Sequence, residues 1–205
     1  MAFLGIRVAP ETARLLKQID VPGDKVAGNE YHITIACFED NYPITEIAKA
    51  MEASYDVISK FEPFLVSTEE VASFPKREDK PCAIIAKIKS KELHRLNDDI
   101  KKHFDKQNIE YSKLFRTFKP HITLAYNDEE IKEIKIDPVK FVVQDIVLWA
   151  GDHGDDRMFI TFPLKGPECK KHSYLLDKAK VFCELATAEP GDVFKQSTER
   201  RKLAR

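Results

Sequence analysis

The 205 residues contain no apolar run approaching the roughly 18 to 20 positions that a bilayer-spanning helix needs, so a helical membrane span is excluded on length. Net charge is missing too: 33 Lys+Arg stand against 34 Asp+Glu, a formal charge of −1. Without a global basic field, nothing drives nonspecific binding to long duplex nucleic acid, and any anion site has to be local. The four cysteines, Cys37, Cys82, Cys169 and Cys183, show no CxxC spacing. The opening MAFLGIRVAPETARLL reaches Arg7 without an apolar signal core and begins M-A rather than M-G, and the chain ends without a Cys motif. These absences lead to the expectation of a soluble protein in a reducing, cytoplasmic compartment, without a lipid anchor.

What is present is a balance of 43% hydrophobic and 33% charged residues, which supports a packed core under a charged surface and argues against wholesale disorder. The length suits one domain with an appendage, expected at residues 1–166 and 167–205. FLGIRVA (3–9) reads as a strand, PETARLLKQI as a helix opened by Pro10, and YHITIACF (31–38) as a strand. Residues 44–61 place Ile44, Ile47, Ala48, Met51, Tyr55 and Ile58 on a helical stripe. Two strands follow, FLVSTEEVASF and CAIIAKIKS. Residues 91–107 carry a second stripe of Leu93, Leu96, Ile100 and Phe104, and HITLAY is the next strand. VKFVVQDIVLWAG and RMFITFPLK read as a closing hairpin about the DHGDD turn. ECKKHSYLLDKAKVFCELATA (168–188) reads as one helix with a polar tail after it. The order strand, helix, loop, strand thus occurs twice, which predicts an α+β domain of two β-α-β halves with antiparallel or mixed sheets.

Each half ends its unit on nearly the same five residues, HITIA from His32 and HITLA from His121, and the two copies start 89 residues apart. Strand alternation puts His32 and Thr34 on one face with Ile33 and Ile35 on the other, and likewise His121 and Thr123 against Ile122 and Leu124. With the apolar residues buried, two His-Thr pairs converge across a twofold-like cleft. Imidazole titrates near about pH 6.5, so one histidine can act as base while the other acts as acid. Each threonine hydroxyl can donate to a nonbridging phosphoryl oxygen. This is phosphodiester chemistry that needs no metal and no cofactor.

The paired motifs HITI (32–35) and HITL (121–124), the context F-x-P-H-I-T-L-x-Y and the closing FPLKG resemble those of the two-histidine (2H) phosphoesterase superfamily. That superfamily includes 2′-5′ RNA ligase and cyclic phosphodiesterase-like proteins, 2′,5′-oligoadenylate phosphodiesterases and phage proteins that degrade cyclic-oligonucleotide immune signals. The resemblance covers about residues 3–165 by element order. It implies a bilobal fold with a pseudo-twofold axis, catalysis by His32 and His121, and phosphate contacts from Thr34 and Thr123. It also implies a nucleotide or short oligonucleotide substrate, cut at a 2′,3′-cyclic, 2′-5′ or 3′-5′ phosphodiester.

Further candidates flank the motifs. Lys113, Arg116 and Lys119 rise toward His121 in steps of three, and a cation there could neutralise phosphate, an arginine bidentately. Phe38, Phe74 and Phe118 are candidates for stacking on a base. Phe38, at i+6 from His32, keeps the catalytic face by alternation and is the first choice. Tyr126, five residues past His121, falls on the opposite face unless the strand bulges, although a strand-end tyrosine can reach a ligand. Asp152, His153, Asp155 and Asp156 crowd one loop but match neither an EF-hand nor a zinc signature, so no metal is assigned. Two rivals remain open: a metal-dependent phosphoesterase using that loop with His32 and His121, and a nucleotide- or RNA-binding module without turnover.

Overall fold

The computed structural model describes residues 2–38, 43–76, 80–114, 117–150 and 158–164. Ten strands and three α-helices follow in the order β1 (Phe3–Arg7), α1 (Pro10–Leu16), β2 (Asp24–Lys25), β3 (His32–Cys37), α2 (Ile44–Ile58), β4 (Phe64–Ser73), β5 (Cys82–Lys89), α3 (Lys91–Lys106), β6 (His121–Asn127), β7 (Ile134–Lys135), β8 (Lys140–Val143), β9 (Asp145–Ala150) and β10 (Met158–Pro163). A 3-10 turn at Gly28–Glu30 leads into β3. The expected C-terminal helix and tail, and the acidic loop 152–156, lie outside the described residues.

The helices form where the apolar spacing predicts them. Pro10 opens α1, its ring holding the backbone near helical φ where no N–H partner is needed. The Ser90 hydroxyl accepts the Leu93 N–H at 3.2 Å and caps α3, which buries Leu93, Leu96, Ile100 and Phe104 on one stripe. Helix α2 turns Ile47, Ala50, Met51 and Ile58 inward in the same way.

All described strand pairs are antiparallel. One sheet has the order β10-β9-β1-β3; the other runs β2-β6-β5-β4-β7, with β8 also paired to β4. The two expected units are present as β1-α1-β3 in the first sheet and β5-α3-β6 in the second, and β3 lies against β6. Strand β2 ties the halves together: it belongs to the loop of the first unit but pairs with the β6 end, Asp24 opposite Tyr126. Gly23 makes that crossing possible, since its φ of 90° is the left-handed region and a Cβ there would sit 2.2 Å from the Tyr126 carbonyl oxygen.

One expectation needs correction. The run 139–151 is not a single hairpin arm. It breaks at Gln144 into β8, which pairs with β4, and β9, which pairs with β1 and β10 in the other sheet. Apolar side chains on both sides of the break hide it in the sequence, because each piece buries its own face against a different sheet. Among the described residues no helix is long and apolar enough to cross a membrane.

Candidate active site

Both HIT strands carry a β-bulge at the same point. In β3, Thr34 faces Gly5 and Ala36 faces Leu4, leaving Ile35 as the extra residue. In β6, Thr123 faces Ile85 and Ala125 faces Ile84, leaving Leu124 extra. A bulge puts two consecutive side chains on one side and reverses the alternation beyond it. Ile35 with Ala36, and Leu124 with Ala125, are accordingly buried as adjacent pairs. The bulged carbonyls find partners outside the ladder: the buried Asn97 of α3 donates Nδ2–H to the Ile35 oxygen at 2.6 Å, and the Val26 N–H donates to the Leu124 oxygen at 2.9 Å.

The reversal decides two candidates. Phe38, chosen by unbroken alternation, is turned into the core at 2% exposure and packs 5.8 Å from Phe104, so it is not free to stack on a base. Tyr126 moves the other way, onto the face of His121 and Thr123, where it is 47% exposed. The consecutive apolar pairs Ile-Ala and Leu-Ala were the trace of the bulges in the sequence.

Before the bulge, alternation holds. Ile33 and Ile122 are fully buried, worth about 1.5 to 3 kcal/mol each, and this burial turns His32, Thr34, His121 and Thr123 to the face away from the helices, all half-buried. The two imidazoles are held alike. His32 Nδ1 lies 2.6 Å from the Glu30 carbonyl oxygen and His121 Nδ1 lies 2.7 Å from that of Lys119. A carbonyl can only accept, so Nδ1–H donates in both and Nε2 is left for chemistry. Burial holds the His121 pKa below the ordinary imidazole value; the Lys119 carbonyl opposes this and the nearby His32 adds to it. The two imidazoles are thus within electrostatic reach of one another.

Aromatic rings flank each histidine. The Phe3 ring stacks on Trp149 at 4.7 Å and lies 4.9 Å from the His32 ring, and Phe74 meets His121 edge-on at 4.7 Å. Of the three phenylalanine candidates, Phe74 alone is brought to a histidine of the HIT pair. Phe118 is turned to α3, 5.3 Å from the His94 ring and 6.0 Å from the Lys101 ammonium, because its half-buried ring completes the packing over that helix. Lys119 is exposed and its observed contact is the backbone one. Lys113 pairs instead with Asp105 at 3.5 Å. Arg116 lies outside the described residues. Among the described residues no group of three or more His, Cys, Asp and Glu side chains is disposed to hold a metal ion.

A profile of the 2′-5′ RNA ligase superfamily matches residues 23–155, which span both HIT motifs. The chain belongs to the 2′-5′ RNA ligase superfamily. This superfamily of 2H phosphoesterases makes it an enzyme of the phosphoesterase or RNA ligase-like type. The fold agrees. A crystal structure of TT0787 from Thermus thermophilus has 18% identity and a TM-score of 0.63, covering 82% of this chain and 99% of that one. Escherichia coli LigT in complex with 3′-AMP has 16% identity and a TM-score of 0.56, over 80% of this chain and 98% of LigT. LigT in complex with NADP+ has 16% identity and a TM-score of 0.55 over the same shares. No protein of curated function matches the sequence.

Within the superfamily fold, the structure adds side chains that motif reading missed. Directly opposite His32 on β1 stands Arg7, and directly opposite His121 on β5 stands Lys87. Paired residues of an antiparallel ladder share a face, so each histidine has a cation beside it. Lys87 is bound by two carboxylates, Glu70 at 2.5 Å and Glu133, which raise its pKa. The only sequence signal was the alignment of FLGIR with AIIAK once the two units are superposed.

Proposed function

We propose that the protein is a metal-independent phosphodiesterase acting on a small or terminal nucleotide, through general acid-base catalysis by His32 and His121. The observation that carries this reading is the matched pair of imidazoles, each with Nδ1–H tied to a carbonyl two residues upstream, which leaves Nε2 for proton transfer. His121, with its pKa held below the ordinary value, is neutral at pH 7 and serves as the base. Its Nε2 takes the proton from the attacking oxygen, a ribose hydroxyl or a water, as the new P–O bond forms. His32 as imidazolium gives its Nε2 proton to the oxygen whose P–O bond breaks. Thr34 and Thr123 donate to the nonbridging oxygens, where charge accumulates. Phe3 and Trp149 on the His32 side, and Phe74 and Tyr126 on the His121 side, suit a base or sugar.

A nucleotide substrate is supported by LigT, whose structures carry 3′-AMP and NADP+. The candidate bonds are RNA 2′,3′-cyclic phosphates and the linkages of 2′-5′ or cyclic oligonucleotide messengers. The test is a product assay in EDTA on 2′,3′-cyclic nucleotides, 2′-5′ oligoadenylate, cyclic dinucleotides and cyclic trinucleotides, with His32→Ala and His121→Ala as controls. Turnover in wild type and a loss of about 10²- to 10⁴-fold in each folded variant is expected. Full activity in His121→Ala refutes the reading. Activity restored only by a divalent metal transfers it to the metal-dependent rival, and binding without product to a binding module.

A further inference from the structure

The two halves match beyond their histidines. Reading across the first sheet on the histidine face, His32 pairs with Arg7, Thr34 with Gly5 and then Val147, and Phe3 with Trp149 and then Phe159. In the second sheet His121 pairs with Lys87, which holds Glu70, and Thr123 pairs with Ile85 and then Ala72. Each half therefore sets a cation opposite its imidazole on the neighbouring strand.

The halves differ in what their cation does. Lys87 is spent on Glu70 and Glu133, an ammonium facing two carboxylates. Arg7 is exposed, and among the described residues it forms no ion pair. The Arg7 guanidinium instead reaches over the sheet to 6.0 Å from the centroid of Phe159, whose ring meets Trp149 at 5.7 Å on the face that carries His32. A planar, always-charged fork with no ion pair among the described residues has the geometry to grip a phosphate through paired N–H donors.

We propose that Arg7 binds a second phosphate of the substrate on the His32 side of the cleft, so that the enzyme takes nucleotides carrying at least two phosphates in preference to a nucleoside cyclic monophosphate. The proposal rests on the phosphodiesterase reading for its substrate class, and its binding arm stands independently of turnover. With the full chain, calorimetry compares adenosine 3′-monophosphate with adenosine 3′,5′-bisphosphate in wild type, Arg7→Gln and Arg7→Lys. The bisphosphate is expected to bind wild type at least about tenfold more tightly. Arg7→Gln removes that advantage, and Arg7→Lys restores part of it without the bidentate grip. Equal affinities in wild type, or an advantage that survives Arg7→Gln, overturns the proposal. In parallel, kcat/KM is measured on adenosine 2′,3′-cyclic monophosphate with and without a 5′-phosphate. Absence of turnover on both removes the 2′,3′-cyclic phosphate as the bond cut and leaves the calorimetric contrast to decide Arg7 alone. A 5′-phosphate that raises kcat/KM in wild type and not in Arg7→Gln supports both.

Discussion

Asn97→Asp tests how the bulge beside His32 and Thr34 is held. Asn97 is 1% exposed, its Nδ2–H donates to the Ile35 carbonyl at 2.6 Å, and its Oδ1 has no partner among the described residues. The substitution keeps the shape but replaces a donor with a group that donates only when protonated. Ionised, the new carboxylate is buried and faces a carbonyl oxygen; protonated, its O–H restores the lost hydrogen bond. The folded-state pKa is therefore raised, so stability is retained below the ordinary carboxyl pKa of about 3.9 and is lost as pH rises. Each pH unit above that value costs about 1.4 kcal/mol until the folded-state pKa is passed, a ceiling of about 4 kcal/mol at pH 7. Against a total stability of about 5 to 15 kcal/mol, that is a large share. Urea unfolding of both proteins at pH 7, 5.5 and 4 isolates the difference, which should fall to about 1 kcal/mol at the lowest pH. Asn97→Leu supplies the contrast: it leaves the Ile35 carbonyl unpaired at every pH, for a steady loss of about 1 to 3 kcal/mol. An Asn97→Asp deficit equal at pH 7 and pH 4, or below about 1 kcal/mol at pH 7, would show that this contact does not hold the bulge.

Thr123→Val removes one hydroxyl donor at constant shape and should lower kcat about 10²-fold, with thermal unfolding unchanged within a few degrees; wild-type kcat would take Thr123 out of the mechanism. The acid limb of kcat/KM should lie below the ordinary imidazole pKa of about 6.5, since burial keeps His121 neutral as pH falls through that value. A limb above about pH 6.5 contradicts His121 as the base. The same shift makes the His121 contribution to stability fully present below its folded-state pKa only as a deficit: the unfolded chain takes up its proton first, so stability is highest above about pH 6.5 and falls as pH drops toward the folded-state value. Gly5→Ala should cost about 1 to 3 kcal/mol, read as a fall in Tm, because its Cβ would meet the Ile33 carbonyl oxygen at 2.6 Å and separate β1 from β3 opposite Thr34. An unchanged Tm would mean that the strands can part there at no cost.

The candidate residues His32, Thr34, His121 and Thr123 were legible as one set because their message is local. His-Ile-Thr alternates at the strand period, Ile33 and Ile122 need burial, and one face is left to His32, Thr34, His121 and Thr123. The helices at Ile44–Ile58 and Lys91–Lys106 were legible for the same reason, as apolar stripes at helical spacing. The superfamily, too, was readable from two short motifs in matched contexts.

What only the tertiary structure decided are the properties that belong to pairs of strands. A bulge exists only relative to a partner, so Ile35 opposite β1 and Leu124 opposite β5 could not be seen from one strand. That single extra residue sent Phe38 into the core and brought Tyr126 out beside the histidine. The break at Gln144 has the same origin, since β8 and β9 differ in which sheet buries them and hardly at all in composition. Arg7 and Lys87 look like ordinary strand-end charges until register sets them opposite His32 and His121. Sequence alone determined which side chains could do the chemistry, because alternation is set residue by residue. Folding decided which of them meet, because register and sheet membership are settled by burial between segments far apart in the chain.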